Sequence, residues 1–177
     1  MSDLLVKLYD LPDATAAETA LRAASICIRR SLPTESSLIS AWVRTHFSDI
    51  WAEEVYISAL REPSACYIAV LGDPHHVPQH SYDRPSELLI GFACYDNNTK
   101  GMFGPMGVLP TYRQQGVGAV LLIRTLAAMR DERYAYAAIG WAGPVAWYER
   151  TVGAAVIPNS EPGIYGPLLR ASARGDM

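Results

Sequence analysis

Cysteine is scarce in this sequence and basic charge is not in excess, and both absences narrow what the chain can be. Its three cysteines, Cys27, Cys66 and Cys94, stand far apart without C-x-x-C spacing. That excludes a disulfide framework and fits small buried side chains in a reducing compartment. Lys and Arg number 15 against 18 Asp and Glu, a formal net charge of −3, so no broad basic surface is offered to a phosphate backbone and nucleic acid is not an expected partner. The amino terminus, Met1-Ser2-Asp3-Leu4-Leu5-Val6-Lys7, lacks the basic, apolar and small-residue segments of a secretory signal. The longest uncharged run, Tyr134 to Tyr148, is interrupted by Gly140, Gly143 and Pro144 and falls short of the roughly 20 apolar residues of a bilayer span. A cytoplasmic location without a membrane partner is the expectation. No internal repeat or low-complexity tract is present.

What the chain does have is apolar mass. With 177 residues, 50% hydrophobic and 19% charged, it is expected to fold as one domain with a sizeable core. Leu4 to Leu11 alternates enough for a short strand, and an alanine-rich run to Ala24 follows Pro12-Asp13; residues 1–24 are read as an N-terminal appendage. Ile26 to Leu32 reads as a strand stopped by Pro33. Thr34 to about Phe47 carries Leu38, Ile39, Trp42 and Val43 at helical spacing, and Ser48-Asp49 can cap a second helix from Ile50 to about Arg61.

Ala65 to Leu71 and Leu88 to Tyr95 are strand-like runs, separated by a Pro- and His-rich surface loop. The turn formers Asp96 to Gly101 join Leu88–Tyr95 to Met102–Val108 as a hairpin. Gly116 to Asp131 is the clearest amphipathic helix, with Val117, Leu121, Leu122, Leu126 and Met129 on one arc. Tyr134–Trp141 is a buried strand, Pro144 opens a short helix to Arg150, and Ala154–Ile157 and Ile164–Leu169 are the last strands. This order describes an α+β fold, a mixed sheet of about six to seven strands flanked by helices. The domain spans 25–170, and 171–177 form a tail.

The chemistry concentrates in Val108-Leu109-Pro110-Thr111-Tyr112-Arg113-Gln114-Gln115-Gly116-Val117-Gly118, between a strand and the amphipathic helix. Glycines there let consecutive N–H groups point into one space at the positive end of a helix, a place suited to a pyrophosphate. Tight strand-to-helix packing selects the same glycines and is the competing reading. A Rossmann site would need G-x-G-x-x-G early in the chain and an acidic residue after the next strand; neither is present.

The pattern V-x-P-x-x-R-x-x-G-x-G at Val108 to Gly118 resembles the acyl-CoA loop of the GNAT superfamily of N-acetyltransferases. Ala146-Trp147-Tyr148-Glu149-Arg150-Thr151-Val152-Gly153-Ala154 is similar to that superfamily's A-x-F-Y-E-K-x-G-F signature. The likeness covers about Ile26 to Leu169. It implies that acetyl-CoA is the co-substrate, with the main-chain amides of Gln114, Gln115, Gly116, Val117, Gly118 and Ala119 on the pyrophosphate and Arg113 beside it. The pantetheine arm would run along main-chain groups of Met106 and Val108, in a slot where two parallel strands splay. The Val108 N–H would hold the oxyanion and Tyr148 would protonate the departing thiolate; otherwise Tyr148 is an amphipathic core aromatic.

Three departures from the family pattern stand out. Trp141-Ala142-Gly143-Pro144 replaces an asparagine before the tyrosine helix, Lys100–Val108 carries no Asp or Glu, and Gly153-Ala154 replaces G-F. The general base is thus unassigned, with a water chain ending at a carboxylate as the default. On the acceptor side the candidates are Asp49, Glu53 and Glu54 with Trp42 and Trp51, and Glu161 with Tyr165. Acidic residues at a helix start are also favoured by its dipole alone. Carboxylates beside aromatics suit an amine on a sugar ring or another apolar-faced small molecule.

The function implied is transfer of an acetyl group to a primary amine of a small molecule, an amino sugar first. An acyl-CoA-binding regulatory module without turnover and a protein or peptide N-acetyltransferase are the alternatives. His75, His76 and His80 with Asp73 and Asp83 lack ligand spacing, so no metal is expected. A homodimer is left open.

Overall fold

Two apolar faces on the same strands, not one, govern how this sheet is built. In the computed structural model, which describes residues 1–72 and 88–163, the strands Cys66–Leu71 (β3) and Leu88–Tyr95 (β4) are buried along most of their length. Their side chains alternate between two cores. Cys66, Ile68, Val70, Phe92 and Cys94 pack with Ile39, Val43, Ala52 and Val55, whereas Tyr67, Ala69, Ala93 and Tyr95 pack with Leu121, Leu126 and Met129. Period-2 alternation with apolar residues at both parities places helices on both faces.

Those helices are Ser36–His46 (α2) and Asp49–Ala59 (α3) on one side, and Val117–Asp131 (α4) on the other, where the short helix Thr15–Ala23 (α1) also contributes Leu21. The remaining strands are Leu4–Lys7 (β1), Ile26–Arg30 (β2), Met102–Val108 (β5), Tyr136–Ile139 (β6) and Ala155–Val156 (β7), with helix Val145–Val152 (α5) between the last two. The sheet has seven strands in the order β2-β3-β4-β5-β6-β1-β7. Every neighbouring pair is antiparallel except β5 and β6, which are parallel. The expected mixed sheet and hairpin are present, with β4 and β5 at the residues anticipated.

The N-terminal segment departs from expectation. It is not an appendage: β1 lies inside the sheet, pairing Leu4 to Lys7 with Ile139 to Tyr136 on one side and Leu4 and Leu5 with Val156 and Ala155 on the other. Leu4, Val6 and Leu8 are fully buried while Leu5 is 39% exposed. The alternation was visible in the sequence; the partner was not, because it lies at the other end of the chain. The strand expected at Ile164–Leu169 lies outside the described residues, as do the 171–177 tail and the histidine-rich loop with His75, His76 and His80.

Candidate active site

The site begins where β5 and β6 part. Their pairing comprises Met102 with Ala138 and Phe103 with Ile139. β5 continues to Val108, whereas the chain after β6 turns at Trp141, whose φ is +48° and whose N–H donates to the Asp3 carboxylate at 3.0 Å. The register fixes what faces the gap. Leu109 N–H donates to the Ile90 carbonyl at 2.9 Å, which makes Gly91 and Val108 a pair without mutual hydrogen bonds. The N–H and C=O of Val108 therefore point away from β4, into the space β6 has vacated, and by the same alternation so do those of Met106. These are the two residues expected to hold the pantetheine arm and the oxyanion.

The loop after β5 leaves its amides free. Gln114 and Gly116 take left-handed φ values of +60° and +86°, which turns successive N–H groups toward one concavity. A Cβ at Gly116 would meet nothing within 4 Å, while one at Gly118 would make ordinary 3.8 Å contacts with Trp147 and Val108. Close packing thus does not explain Gly116; its backbone conformation does. The first donor of the helix is Val120 N–H, to the Gly116 carbonyl at 3.0 Å. Among the described residues, the N–H groups of Gln114, Gln115, Gly116, Val117, Gly118 and Ala119 donate to no acceptor. Arg113 is held beside them by its Nε, which donates to the Val108 carbonyl at 3.0 Å. Gln115 Nε2 donates to the Thr111 carbonyl at 2.9 Å.

Between β5, β6 and α5 lies a cavity of about 560 Å³, in the range of small-molecule sites. Tyr148 lines it; the residue is buried and its ring meets Trp147 edge-on at 4.9 Å. Burial pushes its phenol up to about 12. The hydroxyl therefore stays protonated at neutral pH and makes no hydrogen bond among the described residues.

Across the cavity stand Ser48, Ile50, Trp51 and Glu54. Ser48 caps α3 by accepting from the Trp51 N–H at 3.2 Å, and Phe47 stacks on the Trp51 ring at 5.8 Å. Of the three acidic candidates on this helix, Asp49 and Glu53 are exposed and paired with Arg44 at 2.9 and 2.6 Å. Glu54 is 7% exposed and accepts a hydrogen bond from Asn98 Nδ2. Burial raises its carboxyl above the ordinary range, partly offset by that bond. Glu161 is exposed, is not among the cavity-lining residues, and is engaged by the Met1 amino group at 2.9 Å and by Ser2 Oγ at 3.2 Å. Those contacts lower its carboxyl. Tyr165 lies outside the described residues.

The sequence profile of the Acetyltransferase (GNAT) family matches residues 36–153, well over half of the chain. The chain belongs to the GNAT acetyltransferase family. Solved structures with the same fold include a glucosamine N-acetyltransferase region of a fungal multi-domain GH3 beta-N-acetylglucosaminidase, at 15% identity and TM-score 0.65 over 88% of this chain and 19% of that one. A GCN5-related N-acetyltransferase from Sphaerobacter thermophilus matches at 16% identity and TM-score 0.60 over 88% and 48%. The GNAT family N-acetyltransferase YhbS from Escherichia coli, in complex with CoA, matches at 23% identity and TM-score 0.50 over 72% and 68%. The chain thus spans less than half the length of the first two. No curated protein matches it in sequence.

Sequence reasoning about this GNAT acetyltransferase missed Asn98, read only as a turn former, and Met1 and Trp141, which line the cavity. A signal for Asn98 did exist in the hairpin, whose turn places it over α3. The N-terminal wall had none, since β1 reaches the site only by pairing with β6. Among the described residues no group of three His, Cys, Asp or Glu is placed to hold a metal ion, and no helix is long and apolar enough to cross a membrane.

Proposed function

We propose that this protein transfers the acetyl group of acetyl-CoA to the primary amine of a small molecule. The observation that carries the reading is the run of unpaired N–H groups from Gln114 to Ala119 at the start of α4, opening beside the gap between β5 and β6. Six main-chain donors at the positive end of a fifteen-residue helix suit a pyrophosphate, and Arg113 adds a cation at its side. Main-chain groups of Met106 and Val108 then offer strand-like hydrogen bonds to the amides of the pantetheine arm.

The chemistry follows from the groups that face the gap. The nitrogen lone pair of a neutral amine attacks the thioester carbonyl carbon, and the C–N bond forms as charge moves to the carbonyl oxygen. The Val108 N–H donates to that oxygen. When the C–S bond breaks, Tyr148 gives its proton to the sulfur, and the surplus proton on nitrogen restores the phenol. The cavity, at about 560 Å³, is of a size that takes a small molecule.

The test is release of free thiol from acetyl-CoA with a panel of small amines that includes glucosamine, together with calorimetry of CoA binding. The wild-type protein binds CoA and releases thiol only when a suitable amine is present. Gly116→Asp, which puts a carboxylate among the amides at a left-handed position, weakens CoA binding by 10²-fold or more, on the order of 3 kcal/mol. Retained affinity moves the co-substrate elsewhere. Affinity without thiol release from any amine leaves a CoA-binding module.

A further inference from the structure

The side chains of the acceptor wall are apolar apart from one charge, and the amino group of Met1, which also lines the cavity, is already paired with Glu161 at 2.9 Å. Ile50, Trp51, Pro105, Met106 and Trp141 line it, and Glu54 is the only charged side chain among the described lining residues. Nothing cationic neutralises that carboxylate: among the described residues Glu54 takes part in no ion pair, and its side-chain partner is the uncharged amide of Asn98. A buried carboxylate with one hydrogen bond lacks the partners that ordinarily accompany it. It is therefore a group whose missing partner is a cation brought by the ligand.

The body of that cation is constrained by the same wall. A ring of hydroxyls needs hydrogen-bond partners when it is desolvated, and among the described residues the polar side chains lining the cavity are Ser48, Glu54, Tyr148 and the indoles of Trp51 and Trp141, the last already donating to the Pro162 carbonyl at 2.5 Å. Ser48 Oγ already caps α3, and Tyr148 is required at the sulfur. An indole beside a carboxylate instead fits an ammonium joined to a flat apolar group.

Resting on the transferase reading above, we infer that the acceptor is a primary monoamine with an aromatic or aliphatic body. Its ammonium sits on the Glu54 carboxylate, oriented by Asn98, and passes one proton to it. The balance is complete. The ammonium proton goes to Glu54 and then to water, the amine attacks, and the second nitrogen proton reaches the thiol through Tyr148. The products are the amide, the free thiol and one proton. Among the described residues the buried Cys94 thiol of β4 lies near Glu54, and the Tyr148 phenol of α5 and the Met1 amino group, the latter paired with Glu161, belong to residues lining the same cavity; on its own helix Asp49 and Glu53 are taken by Arg44.

The experiment uses the full chain with saturating CoA and follows the tryptophan fluorescence during titration with 2-phenylethylamine or glucosamine. The expected result is saturable binding of 2-phenylethylamine at least tenfold tighter than of glucosamine, lost by tenfold or more in Glu54→Gln and partly kept in Glu54→Asp, with CoA affinity unchanged in both. In turnover, kcat/KM for the amine rises with pH through the Glu54 carboxyl in the wild type. Asn98→Ala moves that limb to higher pH, and Glu54→Gln removes it. Equal or tighter binding of glucosamine overturns the apolar-bodied acceptor, and unchanged amine affinity in Glu54→Gln overturns the ammonium seat. Glu54-dependent amine binding without thiol release supports the seat and overturns the transferase reading and the proton step, which keeps the two failures apart.

Discussion

Gly107 lies within β5, and the space where its side chain would stand is occupied by Phe47. A Cβ built there would approach Cε1 and Cζ of Phe47 to 2.6 Å and Cε1 of Phe92 to 2.9 Å, well inside the roughly 3.5–4.0 Å at which carbon atoms rest. Phe47 has little room to yield, since Trp42, Trp51 and Phe92 surround it at ring separations of 5.7, 5.8 and 5.4 Å. Gly107→Ala therefore overpacks this cluster at a cost of about 1–3 kcal/mol. For a domain of this size that lowers Tm by roughly 2–12 °C, at about 2–4 °C for each kcal/mol.

The displaced ring leans on Trp51, so the proposed acceptor wall moves while the loop from Gln114 to Ala119, on the other side of the gap, does not. KM for the amine rises by more than CoA affinity by calorimetry falls. Phe47→Leu in the Gly107→Ala background recovers part of the loss, because the two sites share one contact. Gly118→Ala is the control. Its Cβ meets only 3.8 Å neighbours, and alanine is the better helix former by up to about 1 kcal/mol. A Gly107→Ala protein that melts with the wild type, or a double variant whose losses simply add, refutes the packing argument.

Tyr148→Phe lowers kcat by about 10²-fold with CoA affinity intact, as loss of a general acid does. An acid works only while protonated, so a phenol pushed up to about 12 by burial contributes a falling limb only near that pH. A falling limb between about pH 7 and 9 that disappears in Tyr148→Phe would remove the residue from this role. Leu4→Ala, at a fully buried position of β1, costs about 2–5 kcal/mol in denaturant unfolding; a loss below about 0.5 kcal/mol would return residues 1–24 to the standing of an appendage.

Legibility in the sequence followed the range of the interactions. The stretch from Val108 to Gly118 could be read because a strand, a turn and a helix start adjoin in the chain, and the chemistry they create is local. The hairpin of β4 and β5 was equally plain, its turn formers standing between its strands. The role of β1 was hidden, since Leu4 to Lys7 alternate like many short segments and the partner strand begins at Tyr136.

Selecting Glu54 from Asp49, Glu53 and Glu54 needed coordinates for a similar reason. One step along a helix turns a side chain by about 100°, and only the tertiary packing says which of them meets the cavity and which meets Arg44. Asn98 illustrates the same limit: turn chemistry explains its place in the hairpin but not its side chain reaching Glu54.

The position of β1 has a consequence for how the protein is made. It leaves the ribosome well before its partner strand, and Leu4 must wait for Ile139, on the order of ten seconds at elongation rates of about 5–20 residues per second. During that interval β2 to β5 can assemble around α2, α3 and α4, while a four-residue strand with three apolar side chains and unpaired edges stays open to other chains. Closing the sheet is then a long-range step, of the kind whose loop-closure entropy slows folding. Because the wall beside Trp141 depends on it, a chain arrested before that event would carry the loop from Gln114 to Ala119 without a finished cavity beside it.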